Sequence, residues 1–168
     1  PVVIPYYRAP EAIQKTLACL KRQIGVQTES FVRDNSEDNI LFTRAVNEGL
    51  RRYAYTDAYP YILVLNQDAY LHDDCLYRMS TVMDIHTSVG ICTPVSLNSD
   101  GRINWCGGLD AYPWGRHKSL PMKDLPANPY ETYWANGACM LLRTKMIREI
   151  GLLDENMKFI CSDSDLSL

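Results

Sequence analysis

The chain has 168 residues, of which 46% are hydrophobic and 22% are charged, a composition typical of one ordinary globular domain. Its formal net charge is −3, and acidic and basic residues are interspersed, which excludes the electrostatic footprint of a nucleic-acid-binding protein. No apolar run is long enough for a membrane span or a signal peptide. The sequence stops at the start of an apparent helix, so we expect a single domain over residues 1–168 that is truncated at its C-terminus.

The six cysteines are scattered, and none forms a C-x-x-C pair. Most lie within apolar runs, which favours buried free thiols in a reducing compartment. Spacing of this kind does not predict a zinc site or a disulfide framework. The cysteines are Cys19, Cys75, Cys92, Cys106, Cys139 and Cys161.

Apolar strand patterns and amphipathic helix patterns alternate along the first half of the chain. Pro10 suits the first turn of a helix because its missing N–H needs no partner there, and Asp73 or Asp74 can cap a later helix. This alternation predicts a doubly wound α/β sheet with right-handed crossovers. The predicted strands cover residues 2–5, 30–33, 61–65 and 89–95, and the predicted helices lie around residues 10–24, 42–53 and 74–83.

The second half of the chain has a different pattern. A turn and a strand at residues 102–106 follow the fourth strand. Residues 107–130 carry three glycines and four prolines, which predicts a long irregular loop and a candidate lid. Residues 133–142 predict a further strand, and residues 146–150 predict a short helix that Gly151 ends.

The stretch Tyr61–Asp68 joins a buried strand to a carboxylate. Its apolar residues run into the triplet Asn66-Gln-Asp68, as expected of a parallel strand buried on both faces. Ligands bind at the carboxyl ends of strands in open α/β sheets, so Asp68 would face a cleft. A carboxylate there suits Mg²⁺ or Mn²⁺ bridging a diphosphate. A strand that simply ends in a polar turn is the alternative interpretation.

Further short motifs share the chain with Asn66-Gln-Asp68. They are Val2-Val-Ile-Pro-Tyr-Tyr-Arg-Ala-Pro-Glu11, Asp34-Asn-Ser36, Asn47-Glu-Gly49, Trp134–Arg143, Gly151-Leu-Leu-Asp-Glu155 and Asp163-Ser-Asp-Leu166. In their order they resemble the family-2 glycosyltransferases with the GT-A fold, over nearly the whole chain. The resemblance implies a Rossmann-like α/β three-layer sandwich with a mostly parallel mixed sheet. Asn66-Gln-Asp68 and Cys106-Gly-Gly108 are most similar to the rhamnosyltransferase-like members.

The resemblance also implies a role for each matching residue. Asp68 would ligate the Mg²⁺ or Mn²⁺ ion, and Asp163 would be the general base that takes the proton of the acceptor hydroxyl. Ser162 stands where the family usually has Glu, so a supporting carboxylate is missing here. The nucleotide sugar would be bound by Pro5, Tyr7, Asp34, Asn47, Asn66 and Gln67. The acceptor side would include Trp134, Asn136 and Gly137.

Several of these residues also have a plain structural interpretation. Tyr7 matches the position that packs on the base, but it also suits a surface turn. Asp34 suits an Asx turn as well as a hydrogen bond to a pyrimidine base. Asp163 suits a helix N-cap, and Trp134 suits the edge of a core. Asp163-Ser-Asp165 is a second D-x-D and therefore an alternative metal motif.

The function implied by the resemblance is that of a metal-dependent, inverting hexosyl- or deoxyhexosyltransferase. It would move a sugar from a UDP- or dTDP-sugar to a glycan or lipid-linked acceptor hydroxyl in cell-surface polysaccharide biosynthesis. Such an enzyme would be cytoplasmic, with peripheral association at the inner face of the membrane and no nucleic-acid partner. The alternatives are a catalytically inactive nucleotide-sugar-binding module of the same fold and a sugar-phosphate nucleotidyltransferase. The loop after the first strand has no glycine, which argues against the nucleotidyltransferase.

Overall fold

The computed structural model describes residues 1–110 and 116–168 of the chain. Among these residues the strands are β1 (Val2–Tyr6), β2 (Ser30–Asp34), β3 (Tyr61–Leu65), β4 (Ile91–Cys92), β5 (Ser96–Leu97), β6 (Ile103–Trp105), β7 (Gly108–Leu109), β8 (Arg116–His117) and β9 (Cys139–Arg143). The helices are α1 (Pro10–Lys21), α2 (Leu41–Ala54), α3 (Cys75–Ile85), α4 (Thr144–Ile150) and α5 (Ser162–Ser167), and a 3₁₀ turn covers Met122–Asp124.

The central sheet has five strands, in the order β2-β1-β3-β9-β4, within the described part of the chain. β1 pairs in parallel with β2 and β3, whereas β9 runs antiparallel to both β3 and β4. The carboxyl ends of β1, β2, β3 and β4 therefore share one edge of the sheet with the amino end of β9. We call this edge the site edge. The predicted α/β fold with a mostly parallel mixed sheet is confirmed.

Alternate residues of the central strands fill two cores, one on each face of the sheet. In β3, Ile62 and Val64 pack in the core that includes residues of α2 and α4. Leu63 and Leu65 pack in the core that includes residues of α1 and α3. Successive side chains of a strand point to opposite faces, so a strand covered on both faces needs the continuous apolar run that the sequence shows.

α2 lies directly against β1 at Gly49. A Cβ atom on Gly49 would come within 2.4 Å of Cγ1 of Val3, which is far closer than two carbon atoms can pack. Val3 and Leu50 are 0% exposed, so neither element can move away without opening a close-packed core. Gly49 therefore fixes the distance between α2 and the sheet.

The strand that enters the sheet at the site edge is shorter than predicted. The sequence predicts a strand over residues 133–142, but β9 begins only at Cys139. Just before it, Oδ1 of Asn136 accepts the N–H of Ala138 at 2.8 Å, an Asx turn that ends the extended conformation. The strand predicted over residues 89–95 is likewise reduced to β4.

The ends of two helices also differ from the predictions. α1 stops before Ile24, whose side chain is 64% exposed. Asp74 precedes α3 but makes no capping hydrogen bond with its side chain. Its carboxylate instead accepts a hydrogen bond from Nε of Arg78 at 2.6 Å. The carboxylate of Asp73 accepts one from Nε of Arg22 at 3.3 Å.

Among the described residues, no helix combines the length and the apolar character that crossing a membrane requires.

All six cysteines lie in the described part of the chain, and all are free thiols. Burial raises the pKa of Cys75 and of Cys92 to about 11, so both thiols are protonated at neutral pH. Cys161 is exposed, contrary to the expectation of buried thiols. It occupies a left-handed position, with φ +67°, immediately before α5.

Candidate functional site

Loops from adjacent strands meet at the site edge. The N–H of Asn35, after β2, donates to the carbonyl of Tyr6 at 2.8 Å. The N–H of Asn66, after β3, donates to the carbonyl of Ala138 at 2.9 Å. The topology therefore brings together three sets of residues that the sequence predicted for the nucleotide and the metal. Tyr7 follows β1, Asp34 ends β2, and Asn66-Gln-Asp68 follows β3.

The side chain of Gln67 joins the loop after β3 to the loop after β1. Its Oε1 accepts the N–H of Tyr7 at 2.8 Å, and its Nε2 donates to the carbonyl of Tyr7 at 3.3 Å. Tyr7 itself is 42% exposed. Both polar groups of the Gln67 amide thus bond to the protein backbone. This arrangement favours a loop-joining role for Gln67 over the predicted direct contact with the ribose or sugar.

Arg8 joins the loop after β1 to the loop after β2. Its guanidinium donates to the carbonyl of Ser36 from Nε at 3.2 Å and from Nη2 at 3.0 Å. The same guanidinium lies 5.2 Å from the centroid of the Tyr7 ring, within cation–π range. Arg8 has φ +46°, a conformation that costs a non-glycine residue about 1–3 kcal/mol. The contacts to Ser36 and Tyr7 offset that cost and fix the loop.

Asp34 takes part in an Asx turn at the end of β2. Its Oδ1 accepts the N–H of Ser36 at 2.8 Å. Hydrogen bonds from the side chain and then from the backbone of Ser36 lower the pKa of Asp34 below its ordinary value, so the carboxylate is ionised at neutral pH. The carboxylate is exposed, and an ionised carboxylate has more acceptor sites than this turn uses. The turn and the predicted contact with a base are therefore compatible.

Arg33 anchors the Asp34 loop, a role that the sequence reasoning missed. Its guanidinium donates to both carboxylate oxygens of Asp38, at 2.6 and 2.9 Å, and to the carbonyl of Asp34 at 2.6 Å. It also donates to Glu48 of α2 at 2.9 Å. The Arg33 side chain is only 12% exposed, and bidentate pairing with a carboxylate is geometrically specific. The available signal was a basic residue directly before an acidic loop.

Asp68 is exposed in the turn that follows β3. Within residues 1–110 and 116–168, no group of three or more His, Cys, Asp or Glu side chains is arranged to hold a metal ion. Mg²⁺ characteristically binds through one or two carboxylates and takes its other oxygen ligands from phosphates and water. One exposed carboxylate, two residues after Asn66 in the same turn, therefore fits a divalent cation that binds together with a diphosphate.

The alternative metal motif lies in a helix. Asp163 and Asp165 both belong to the first turn of α5. Side chains two residues apart on a helix do not face each other, so these two carboxylates do not converge on one ion. The geometry therefore favours Asp68 over Asp163-Ser-Asp165 as the metal motif.

The carboxylate of Asp163 is fixed by two backbone N–H groups. Its Oδ2 accepts the N–H of Gly137 at 2.7 Å, and its Oδ1 accepts the N–H of Ser164 at 2.9 Å. The hydroxyl of Ser167 donates to the carbonyl of Asp163 at 2.7 Å and accepts the N–H of Ala135 at 3.1 Å. One contact near each end of α5 thus holds this helix against the segment that leads into β9, and Asp163 is placed beside the site edge.

Trp134 belongs to an aromatic cluster next to that segment. Its ring centroid lies 6.0 Å from that of Trp105 and 5.2 Å from that of His117. A Cβ atom on Gly108 would meet Nε1 of Trp134 at 2.3 Å, so the indole packs on the backbone of Gly108. This position agrees with the core-edge interpretation, and the predicted stacking of Trp134 on an acceptor sugar stays a prediction.

Two residues predicted to bind the nucleotide sugar lie inside secondary structure. Asn47 of α2 is 1% exposed. Its Nδ2 donates to the carbonyl of Leu153 at 2.8 Å and to Glu155 at 3.1 Å, and its Oδ1 accepts the N–H of Leu153 at 3.1 Å. Both amide hydrogens are used, which favours a structural role for Asn47 over a donor contact. Pro5 lies within β1, opposite Arg33 of β2.

The predicted lid contains short regular elements. β7 pairs antiparallel with β8, and the 3₁₀ turn Met122–Asp124 follows. The hydroxyl of Tyr130 donates to the carbonyl of Cys106 at 2.6 Å, and Nζ of Lys118 lies 4.7 Å from the centroid of the Tyr130 ring. These contacts tie the two ends of the loop together. Residues 111–115 of the predicted lid lie outside the described residues.

A cavity of about 620 Å³ lies between α5 and the segment that precedes β9. It is bounded by residues 132–135, by residues on either side of and within β4, by α4 with Leu152, and by residues 165–168. Neither Asp163 nor Gly137 is among its lining residues, and the lining residues nearest to them in the sequence are Asp165 and Ala135. Polar and aromatic groups in its wall include Thr93, Thr132, Tyr133, Trp134, Asp165 and Ser167.

No protein-family model and no curated protein matches the chain, whereas solved structures of TarS from S. aureus do. A structure of TarS 1–349 in complex with UDP matches with a TM-score of 0.68 at 16% identity, over 99% of this chain and 53% of that chain. A structure of TarS matches with a TM-score of 0.66 at 14% identity, over 99% of this chain and 32% of that chain. Another structure of TarS 1–349 matches with a TM-score of 0.62 at 18% identity, over 99% of this chain and 53% of that chain.

The chain thus spans about half, or less, of the TarS chains that it matches. Identities this low make the likeness one of fold. It extends over 99% of the present chain and therefore includes the site edge, the segment before β9 and α5. The predicted GT-A fold, a three-layer α/β sandwich with a mostly parallel mixed sheet, is confirmed as the fold of this chain.

Proposed function

We propose that this chain is the donor-binding part of an inverting glycosyltransferase that uses a UDP- or dTDP-sugar. One observation carries the proposal: protein contacts run without a break from the predicted base-binding loop to the predicted general base. They pass from Asp34 through Ser36, Arg8 and Tyr7 to Gln67. From there Asn66 contacts Ala138, and the adjacent Gly137 contacts Asp163. Donor binding and proton transfer at one sheet edge are what sugar transfer requires.

The donor base would bind between the loops after β1 and β2. Tyr7 is exposed and offers an aromatic face for stacking, and the ionised Asp34 offers an acceptor for the N3–H of a pyrimidine. A TarS structure with the same fold contains UDP, which supports a uridine nucleotide as the first ligand to test. The rhamnosyltransferase-like subgroup remains a prediction from the sequence.

The diphosphate would lie over the turn after β3. Asp68 would hold Mg²⁺ or Mn²⁺ there, with Asn66 beside it. When bound, the ion would offset negative charge on the leaving diphosphate. The chain has a net charge of −3, so a cation supplies what a basic patch would otherwise provide.

Asp163 would be the general base. Each of its carboxylate oxygens accepts one backbone N–H, which fixes its orientation and leaves acceptor capacity on both oxygens. An acceptor hydroxyl placed at such an oxygen would pass its proton to Asp163 as the hydroxyl oxygen attacks the anomeric carbon. Direct displacement by that oxygen inverts the configuration of the sugar.

The acceptor would approach from the side of the segment before β9. The cavity next to this segment has one wall of aromatic, hydroxyl and carboxylate groups and another of apolar side chains from α4 and α5, a combination that suits a sugar ring with its linked apolar group. Trp134 contributes to the aromatic wall, and Asn136 and Gly137 continue the same segment. We propose a glycan or lipid-linked acceptor, and hence a cytoplasmic enzyme that works at the inner face of the membrane in cell-surface polysaccharide biosynthesis.

The test is hydrolysis and transfer of UDP- and dTDP-sugars by the purified protein with Mn²⁺. Asp68→Asn and Asp163→Asn should each lower turnover by about 100-fold or more. The matched control is Asp57→Asn, because the Asp57 side chain is 98% exposed. Binding of UDP without any turnover would support the inactive-module alternative. Turnover that neither substitution affects would contradict the assignment of the site.

A further inference from the structure

Gln67 stands in the middle of the predicted metal motif, yet its side chain bonds to a different loop. Its Oε1 accepts the N–H of Tyr7 at 2.8 Å, and its Nε2 donates to the carbonyl of the same residue at 3.3 Å. The amide therefore pairs with the backbone of Tyr7 through a donor and an acceptor at once, as two paired strands do. Gln67 and Tyr7 are 60 residues apart in the sequence.

The backbone of Gln67 is itself fixed by α1. The hydroxyl of Thr16 donates to the carbonyl of Gln67 at 2.6 Å, and Thr16 is 0% exposed. A buried hydroxyl bonded to this carbonyl holds the turn after β3 in place. The Gln67 amide thus projects from a fixed point, and it can position the loop that it contacts.

The loop that carries Tyr7 needs such support. Tyr7 is 42% exposed, so its ring has little core packing to fix it. The next residue, Arg8, has φ +46°, a conformation that persists only where surrounding contacts impose it. Gln67 holds the backbone on one side of this position, and Ser36 holds the Arg8 guanidinium on the other.

We propose that Gln67 is a positioning residue that fixes the base-stacking Tyr7 from within the metal motif, rather than a residue that touches the donor. This inference rests on the proposed function. It makes nucleotide recognition depend on a side chain that lies next to the metal ligand Asp68. The side chain acts on the base through Tyr7 and leaves the diphosphate untouched.

A double-mutant cycle with UDP and Mn²⁺, measured by calorimetry, tests the inference. Stacking and hydrogen-bond energies give an expected loss of UDP affinity of about tenfold for Tyr7→Ala and about fivefold for Gln67→Ala. The double variant should bind UDP no more weakly than Tyr7→Ala alone, because no ring remains to be positioned. The inference would be overturned if the loss of UDP affinity in the double variant equalled the product of the two single losses. It would also be overturned if Gln67→Ala bound UDP with wild-type affinity.

A second probe separates positioning from direct contact and from general damage. Binding of pyrophosphate with Mn²⁺ should be the same in Gln67→Ala and in the wild type, whereas a loss there would mean that Gln67 touches the diphosphate or metal. In the transfer assay, Gln67→Ala should raise KM for the donor and leave kcat within about twofold. Gln14→Ala, on the exposed face of α1, is the matched control and should leave UDP affinity unchanged.

The same measurements distinguish this inference from the proposed function. A wild-type protein that binds neither UDP nor dTDP would overturn the proposed function, and the inference with it. If the wild type binds UDP through Tyr7 but the two single losses of affinity multiply in the double variant, only the inference is overturned and the proposed function stands.

Discussion

The backbone N–H of Gly137 donates to Oδ2 of Asp163 at 2.7 Å, and the two residues pack so closely that a methyl group on Gly137 would have to displace Asp163 by a few tenths of an ångström. A Cβ atom on Gly137 would lie 3.0 Å from Oδ2, 3.2 Å from Cβ and 3.3 Å from Cγ of Asp163. Two motifs that the sequence resemblance assigned separately, one to the acceptor side and one to the base, are thus a single structural unit.

Replacing Gly137 with alanine should displace the Asp163 carboxylate without unfolding the protein. The contacts are a few tenths of an ångström too short for a methyl group, so the start of α5 must shift. Misplacement of a catalytic group on this scale lowers turnover by about 10- to 100-fold. The measurement is kcat for sugar transfer by Gly137→Ala, together with its thermal unfolding midpoint.

Gly101→Ala is the control for this substitution. Gly101 has φ +79°, and no atom lies within 4 Å of the place that a Cβ atom would take there. Alanine at this position therefore costs about 1 kcal/mol of backbone strain far from Asp163. The control should lower the unfolding midpoint and leave kcat unchanged. A Gly137→Ala variant with wild-type kcat would show that the orientation of Asp163 does not limit turnover.

Asn47→Ala should destabilise the fold and leave donor binding intact. The substitution removes the partners of the N–H and the carbonyl of Leu153, which is 3% exposed. Unpaired buried groups of this kind cost about 2–3 kcal/mol in the free energy of unfolding. Urea unfolding measures the loss, with the exposed Asn156→Ala as control. A loss of UDP affinity in folded Asn47→Ala would instead restore the predicted role in donor binding.

Arg33→Lys should weaken UDP binding about fivefold. A lysine cannot reproduce the bidentate bond to Asp38 together with the bonds to Asp34 and Glu48, so the Asp34 loop loses its fixed conformation. The matched control is Arg78→Lys, since the pair of Arg78 with Asp74 is exposed and separate from the loop. Calorimetry with UDP checks the prediction, and equal affinities for the two variants would contradict it.

The stability of the fold should decrease between pH 9 and pH 11, in part through Cys92. Burial raises the pKa of this thiol from 9.0 to about 11. Its stabilising contribution is therefore complete below pH 9 and is lost as the pH rises through about 11, because only the unfolded chain ionises readily in that window. The expected loss from this one group is about 1–2 kcal/mol.

Urea unfolding at pH 8 and pH 10.5, for the wild type and for Cys92→Ala, isolates that contribution. All other titratable groups are present in both proteins, so the difference between the two reports Cys92 together with its charge interactions with Cys75 and Cys139. Cys92→Ala should lose less stability on the shift to high pH than the wild type does. An equal loss in the two proteins would mean that Cys92 ionises alike in the folded and unfolded chains.

The central sheet could be predicted because its signal is local. The run Tyr61–Leu65 shows two-sided burial within five residues, and the alternation of strands and helices fixes most of the topology. The predicted length of β9 was wrong, because a side-chain hydrogen bond near its start ends the strand early. Residues 135–138 are all small and directly precede an apolar run, yet the Asx turn at Asn136 ends the extended conformation before Cys139.

The roles of Gln67 and Arg33 could not be predicted, because both depend on tertiary contacts between polar groups. Periodicity identifies which side chains are buried, but it does not say which backbone group a glutamine amide will meet 60 residues away. The role of Asp34 could not be decided from the sequence either. Its motif fits both an Asx turn and a base contact, and only the structure shows that the turn leaves the carboxylate exposed.

The antiparallel direction of β9 leaves the proposed donor and acceptor residues in two separate stretches of the chain that meet at the site edge. Every residue proposed for the donor precedes Ala69, whereas the residues proposed for the acceptor side, Trp134, Asn136 and Gly137, belong to one continuous insertion between β4 and β9. That insertion leaves and re-enters the sheet next to the site edge. Exchanging residues 93–138 between proteins of this fold should therefore change the acceptor while the donor stays the same.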